Sequence, residues 1–117
     1  MKLNHTNVPV ADVDAASEFL EQYFGFQHVG GEGNVVVLLG EDDFVLGLTP
    51  TDAETTVPKS LHIGFFVDSR DTVEETHHRL AEDGFDVGSL AERHHLYDFY
   101  VEAPGGLTIE IGARLNG

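Results

Sequence analysis

Apolar residues recur every three or four positions in two stretches of the chain, and each stretch predicts a helix with one buried face. A Gly-Phe pair follows both stretches, at Gly25 and Gly84, where a left-handed residue commonly ends a helix. At the start of the second stretch, Asp71 stands three residues before Glu74, which predicts an N-cap with a capping-box acid. The apolar stripe of the first helix consists of Ala16, Phe19, Leu20, Tyr23 and Phe24.

Alternation of apolar and polar residues, the period of a half-buried strand, fills most of the remaining chain. Glycine-containing segments at 40–42 and 103–106 predict hairpin turns between paired strands. The segment at about 50–59 is rich in Pro, Thr and Asp and predicts a linker. The predicted strands are 34–39, 43–49, 96–102 and 107–112, with weaker ones at 27–29 and 86–87.

The two halves of the chain repeat the same features in the same order. His5 precedes Val10 by five residues, and His62 precedes Val67 by five. In each half an acidic turn, a helix, a Gly-Phe pair and a final alternating strand follow. We therefore predict an α+β fold, in which two βαβββ modules in tandem form a curved mixed sheet around a metal or ligand cavity. The 117 residues are expected to form a single domain, with module 1 at about 1–50 and module 2 at about 60–113.

Composition narrows the possible functions. The chain has no Cys, which excludes disulfides, thiolate nucleophiles and zinc-thiolate sites. No stretch is long and apolar enough for a membrane helix, and no signal-peptide pattern follows Met1, so a soluble, cytoplasmic protein is expected. The net charge of −15 would repel nucleic acid and anionic membranes, so neither is expected as a partner.

The acidity also suggests a hypothesis about the environment of the protein. Self-repulsion of so many carboxylates opposes folding in dilute salt, and counter-ions screen it. An acidic surface of this kind suits a protein from a salt-rich, halophilic cytoplasm. The alternative is an acidic protein of an ordinary cytoplasm.

Three residues far apart in sequence are candidate metal ligands. On a strand, alternate side chains share a face, so His62 should point away from the apolar face of its strand. By the same parity Glu110 points away from Ile109 and Ile111, and His5 points away from Val8. Two imidazoles and one carboxylate form a facial triad, which suits Fe(II), Mn(II), Co(II), Ni(II) or Zn(II) and leaves positions open for a substrate. The alternative for each residue is structural, because single strand histidines are usually hydrogen-bonded and strand glutamates usually face solvent.

Other residues could act beside these ligands. A hairpin at 103–106 would place Tyr100 opposite Glu110, where the phenol could bind a substrate oxygen or act as a general acid, or could only pack the cavity. The loop before that strand contains Arg93, His94 and His95. These residues could reach the cavity mouth as a proton shuttle or an anion contact, or could be exposed loop residues without a role in the site.

These residues resemble the vicinal oxygen chelate superfamily, which includes glyoxalase I, bleomycin-resistance proteins, fosfomycin-resistance proteins and extradiol dioxygenases. The similarity spans almost the whole chain, from Leu3-Asn4-His5 to Glu110-Ile111. It implies two βαβββ modules, a divalent ion held by His5, His62 and Glu110, and a small-molecule substrate. It also implies a homodimer in which His5 of one chain can share the ion with His62 and Glu110 of the other.

The resemblance to individual subfamilies is partial. Glyoxalases carry a fourth ligand where this chain has Gly47, whereas the dioxygenases and fosfomycin-resistance enzymes lack it and carry a Tyr matching Tyr100. Fosfomycin-resistance enzymes need basic residues in two regions that here offer only Arg93 and Arg114. Extradiol dioxygenases have a catalytic His where this chain has Ala91.

The expected function is therefore a metal-dependent enzyme acting on a small molecule chelated through oxygen, of dioxygenase, lyase or fosfomycin-resistance type. The alternative is a metal-free protein that binds a drug or metabolite, as bleomycin-resistance proteins do. A non-catalytic sensor or partner domain is a third possibility that the residues leave open.

Overall fold

The computed structural model describes residues 1–52, 57–58 and 60–115, which form two helices, nine strands and a short 3₁₀ turn at Glu41–Asp43. By its internal contacts the chain divides into two compact units, Met1–Val57 with Pro104–Leu107, and Pro58–Ala103 with Thr108–Gly117. The elements are β1 (His5–Val10), α1 (Val13–Phe24), β2 (Gln27–Gly30), β3 (Val36–Leu39), β4 (Val45–Pro50), β5 (Ile63–Val67), α2 (Arg70–Glu82), β6 (Asp86–Val87), β7 (Ala91–Arg93), β8 (Leu96–Ala103) and β9 (Leu107–Arg114).

The first unit is a four-stranded mixed sheet covered by one helix. Its strand order is β1-β4-β3-β2, with β1 parallel to β4 and the other neighbours antiparallel. Helix α1 packs on the sheet through the apolar stripe, of which Ala16, Phe19 and Leu20 are buried. Pairing in register sets His5 opposite Val45, so the first predicted ligand lies at the start of an edge strand.

The second unit repeats this plan. Its strand order is β5-β9-β8-β6, with β5 parallel to β9, and the short β7 pairs with β8. Helix α2 packs on β6 and β8 and buries Val73 and Leu80. The prediction of an α+β fold built from two βαβββ modules is confirmed. The buried core of the second unit includes Phe99, Val101, Ile109 and Ile111.

The predicted helix ends are right at the carboxyl side and wrong at one amino end. Gly25 and Gly84 both follow their helices with positive φ, 70° and 90°. The N-cap of α2 is Ser69, whose hydroxyl accepts the Thr72 N–H at 3.2 Å, so the predicted Asp71 cap is incorrect. The partner predicted for that cap, Glu74, instead accepts a hydrogen bond from the Tyr97 hydroxyl at 3.2 Å.

Strand boundaries differ by one or two residues from the predictions, with two larger exceptions. The turn predicted at 40–42 is the 3₁₀ turn at Glu41–Asp43, in which Asp42 and Asp43 have positive φ. Strand β7 was not predicted, because three residues are too few to show a period. Much of the predicted linker, at 53–56 and 59, lies outside the described residues. Among the described residues, no helix is long and apolar enough to cross a membrane.

Candidate metal and substrate site

One face of the second sheet carries the candidate residues of that unit. Register pairs Gly64 of β5 with Glu110 of β9, and a Cβ at Gly64 would lie in ordinary contact with Glu110 Oε1, at 3.4 Å. Gly112 similarly faces Asp98 of β8, where an added Cβ would lie 3.2 Å from the Asp98 Cβ. Two carboxyl groups therefore lie beside glycines on one sheet face, opposite to the face that packs on α2, and at Gly112 the absence of a side chain gives Asp98 space.

His62 and Glu110 approach each other on this face. Nε2 of His62 lies 3.4 Å from Oε1 of Glu110, and the side chains are 33% and 12% exposed. Nδ1 of His62 lies 3.0 Å from the Ser60 carbonyl, which can only accept, so Nδ1 carries the hydrogen. In the neutral ring Nε2 then presents a lone pair to a carboxylate oxygen. Two facing acceptors at this distance require a proton or a metal cation between them.

This arrangement fits a metal ion by its donor set and spacing. Two ligands bonded at about 2.1 Å to one ion lie about 3.0 Å apart in octahedral geometry and about 3.4 Å apart in tetrahedral geometry, so the observed pair is at or just above the required spacing. Metal-binding histidines usually donate their second ring N–H to a carbonyl or carboxylate, as His62 does to Ser60. His62 and Glu110 can therefore supply one nitrogen and one oxygen ligand to a divalent ion.

Glu110 lies in an environment that opposes its ionisation. Burial raises the pKa of Glu110, and the hydrogen bond and charge of Asp98 raise it further, while His62 and Tyr100 act in the opposite direction. Asp98 itself is fully buried and pairs with Arg93, whose Nε lies 2.5 Å from Oδ1. A cation beside Glu110 would relieve this accumulation of buried negative charge.

Tyr100 completes the cluster. Its ring centroid lies 5.4 Å from that of His62 in an edge-to-face arrangement. Burial raises the pKa of Tyr100, and the negative charge of Glu110 raises it further. The phenol therefore keeps its proton at neutral pH and can donate a hydrogen bond, to Glu110 or to a bound substrate oxygen.

His5 belongs to the first unit, and its Nδ1, like that of His62, faces a nearby oxygen, here a side-chain amide rather than a backbone carbonyl. Its Nδ1 lies 2.8 Å from Oδ1 of Asn4, which as an acceptor fixes the hydrogen on Nδ1 and leaves Nε2 available. The ring lines an open pocket with Lys2, Asn4 and the two aspartates of the 3₁₀ turn. In this unit Gly47 faces the Asn7 amide, whose oxygen would lie 3.2 Å from an added Cβ.

Within the described residues, no group of three or more His, Asp or Glu side chains is placed to hold one metal ion. The structure brings His62, Glu110 and Tyr100 together in the second unit. It does not gather a third ligand around them within that part of the chain.

A family model for the Glyoxalase/Bleomycin resistance protein/Dioxygenase superfamily matches residues 2–111, which include both modules. The chain belongs to this superfamily. Among solved structures, a possible glyoxalase from Bacillus cereus is 46% identical, with a TM-score of 0.84, and the match covers 96% of this chain and 98% of that one. No curated protein gives a significant match to the chain.

More distant superfamily members share the fold. A lactoylglutathione lyase from Agrobacterium tumefaciens is 22% identical with a TM-score of 0.76, over 96% of this chain and 92% of that one. The fosfomycin resistance protein FosX from Listeria monocytogenes is 18% identical with a TM-score of 0.78, over 97% of this chain and 93% of that one. At these identities the likeness shows the fold alone.

Sequence reasoning within this superfamily fold missed Asp98 and the role of Arg93. Both lie on the sheet face that carries Tyr100 and Glu110, and Asp98 shares the parity of Tyr100 on β8. The alternation along β8 could have placed Asp98 on the face of Tyr100. It could not have shown that Asp98 is buried, because an aspartate that faces solvent is also commonly flanked by apolar residues such as Tyr97 and Phe99. Arg93, interpreted as a loop residue, lies on β7 and pairs in register with Leu96.

Proposed function

We propose that this superfamily member is a metal-dependent enzyme acting on a small molecule that binds the ion through two neighbouring oxygens. His5, His62 and Glu110 would hold the ion, with His5 contributed by a second copy of the chain in a homodimer. The observation that carries the proposal is the facing pair of acceptors, His62 Nε2 and Glu110 Oε1, 3.4 Å apart. The matching Nδ1 hydrogen bonds of His5 and His62 support it, because each leaves Nε2 free to bind an ion.

The donor set fits Fe(II), Mn(II), Co(II), Ni(II) or Zn(II), and two imidazoles with one carboxylate do not select among them. When bound, such an ion would polarise the substrate oxygens as a Lewis acid. Tyr100 would donate its phenolic hydrogen bond to a substrate oxygen and hold that oxygen beside Glu110. Raising of the Tyr100 pKa by burial and by Glu110 keeps this donor protonated at neutral pH.

The surroundings favour some reaction types over others. Arg93 donates to the Ser89 carbonyl at 3.0 Å and pairs with the buried Asp98, so its charge is already compensated. This argues against a phosphonate substrate of the fosfomycin type, for which Arg93 was one of two candidate anion contacts. Ala91 of β7, which pairs with Asp98 of β8, stands where an extradiol dioxygenase would need its catalytic histidine. This argues against the dioxygenase type. We therefore infer a lyase or isomerase acting on a neutral compound that chelates the ion through two oxygens, with Gly47 as its one departure from the glyoxalase ligand set.

Metal titration with matched variants tests the ligand set. Calorimetric titration of chelator-treated protein with Mn(II) and Co(II) should give one ion per chain, and His62→Ala, His5→Ala and Glu110→Gln should each abolish binding. His78→Ala, which removes an exposed helix histidine paired with Glu82, is the matched control and should bind normally. Failure of the wild-type protein to bind any of these ions would remove the enzyme proposal in favour of metal-free binding of a small molecule.

Mixing two inactive variants tests contribution of His5 across a dimer. A heterodimer of one His5→Ala chain and one Glu110→Gln chain retains one intact site if His5 acts in the partner, and none if it acts within its own chain. We expect co-expressed variants, isolated as heterodimers with two different affinity tags, to bind one ion per dimer. If the heterodimer binds no ion, the site is not shared between chains, and the assignment of His5, His62 and Glu110 as ligands is unaffected.

A further inference from the structure

Asp98 is a fully buried carboxyl group that the proposed reaction does not use directly. Buried carboxylates are rare unless they are paired, because burial without compensation is costly. Its ion-pair partner is Arg93, whose Nε lies 2.5 Å from Oδ1, and both carboxylate oxygens of Asp98 are fully buried. The group next to it on the same sheet face is the carboxyl of Glu110.

Arg93 is held firmly in place by its other contacts. Its Nη2 donates to the Ser89 carbonyl at 3.0 Å, and its guanidinium lies over the Tyr100 ring at 5.7 Å from the centroid. The turn that joins β7 to β8 has only two residues, since Arg93 pairs with Leu96. This tight turn brings Arg93 onto the same face as Asp98 and Tyr100.

The backbone around Asp98 is shaped to admit this carboxyl group. Gly112 lies opposite, and an added Cβ would stand 3.2 Å from the Asp98 Cβ, closer than most Cβ contacts. A side chain at this position would therefore press on Asp98 and shift it by a few tenths of an ångström. A stabilising surface ion pair would need no such space.

We propose that Arg93 and Asp98 form a positioning pair, which fixes the Glu110 carboxyl group so that Oε1 faces Nε2 of His62. Arg93 holds Asp98, Asp98 contacts Glu110, and Arg93 also covers the ring of Tyr100. This inference rests on the proposed function for its consequence, because the oriented Glu110 oxygen is a proposed metal ligand. Groups that orient metal ligands typically contribute about 10- to 100-fold to metal affinity.

Metal affinities of variants that change charge distinguish orientation of the Glu110 carboxyl group from a direct effect of charge on cation binding. Asp98→Asn and Arg93→Met should each weaken Co(II) binding by about 10-fold or more. Arg93→Met is the decisive variant, because removal of a positive charge near a cation site should strengthen binding if only charge mattered. Arg93→Lys should recover part of the loss. Co(II) affinity of Arg93→Met equal to or tighter than wild type would overturn the proposal.

Two control variants remove comparable groups elsewhere in the same unit. Glu74→Gln removes a carboxylate that accepts from the Tyr97 hydroxyl on the opposite face of the sheet, and Arg70→Met breaks the exposed pair of Arg70 with Glu92 at 2.8 Å. Both should bind Co(II) within about two-fold of wild type if affinity depends on positioning of Glu110. Losses in these controls equal to that of Asp98→Asn would also overturn the proposal.

A measurement on metal-free protein keeps the inference independent of the proposed function. Long-range ¹H–¹⁵N spectra report the environment of Nε2 in His62. We expect the Nε2 resonance to shift in Asp98→Asn and Arg93→Met and to stay unchanged in Arg70→Met. An unchanged resonance in all three variants would show that the pair does not orient Glu110. A shifted resonance in a protein that binds no metal would reject the proposed function alone.

Discussion

Nε2 of His62 lies 3.4 Å from Oε1 of Glu110, while Nδ1 of the same ring is bound to the Ser60 carbonyl. The second contact determines the meaning of the first, because it places the ring hydrogen on the nitrogen that faces away from Glu110. A lone pair and a carboxylate oxygen therefore face each other. When Glu110 is ionised this arrangement is unfavourable, and either protonation of Glu110 or a bound cation relieves it, which leads to a prediction about stability.

Replacement of Glu110 by Gln should stabilise the metal-free protein at neutral pH while removing metal binding. Burial raises the pKa of Glu110, so the folded chain holds this proton more tightly than the unfolded chain does. Stability contributed by the protonated group is complete below the ordinary glutamate pKa of 4.5 and is lost as pH rises through the higher folded value. The free energy of unfolding, measured with chelator present between about pH 4 and pH 8, should therefore fall less with pH in Glu110→Gln.

The matched control for this variant is Glu82→Gln, which removes an exposed helix carboxylate 68% accessible to solvent. It should follow the wild-type pH profile. A Glu110→Gln protein that is less stable than wild type at pH 7 would show that the carboxylate stabilises the fold in the absence of metal.

The two glycines beside the carboxyl groups should differ in their tolerance of a side chain. A methyl group at Gly112 would meet the Asp98 Cβ at 3.2 Å, in a buried place where neither strand can move easily. Gly112→Ala should cost about 1–3 kcal/mol of unfolding free energy. A methyl group at Gly64 would lie 3.4 Å from Glu110 Oε1 on an exposed part of β5, so Gly64→Ala should cost less. Chemical denaturation of both variants measures the difference, and equal costs would contradict the packing argument.

The turn between β7 and β8 offers a stabilising substitution. His94 and His95 both have positive φ, 49° and 64°, in a two-residue turn that usually contains Asn-Gly. A non-glycine residue in this conformation costs about 1–2 kcal/mol, so His95→Gly should raise the unfolding free energy by about 1 kcal/mol. His95→Ala keeps the strained conformation and should give no gain. If His95→Gly is no more stable than His95→Ala, the positive φ of His95 does not destabilise the fold.

The repeat and the strand parity predicted the pair of His62 and Glu110 because both signals are local. Glu110 projects from β9 between two apolar neighbours, and His62 directly precedes β5, whose Gly64 pairs in register with Glu110. Asp98 escaped prediction because its burial depends on Arg93, which reaches it from β7, a strand of three residues. A period cannot be detected in three residues, and the tight turn that forms this strand contains two histidines and no glycine.

Local hydrogen-bond geometry likewise decides the start of α2, where the sequence predicted Asp71 as the cap and the structure has Ser69. Ser69 has extended φ and ψ of −147° and 157° and accepts the Thr72 N–H, whereas Asp71 lies within the first helical turn. Ser69→Ala should therefore cost about 1 kcal/mol. Asp71→Ala should cost less, about 0.5 kcal/mol, because it removes only a favourable charge near the helix N-terminus. Thermal denaturation distinguishes them, and a larger loss in Asp71→Ala would favour the capping box.

Salt should stabilise this protein if repulsion among its carboxylates is significant. The net charge is −15, and a screening length of about 3 Å at 1 M salt suppresses interactions that extend about 30 Å at 0.01 M. The thermal midpoint of unfolding should therefore rise by roughly 5 °C or more between dilute and molar KCl. A variant with three exposed glutamates changed to glutamine, at Glu18, Glu32 and Glu75, carries less repulsion and should show a smaller rise. A midpoint that stays flat or falls with KCl would mean that the acidic composition is not an adaptation to a salt-rich cytoplasm.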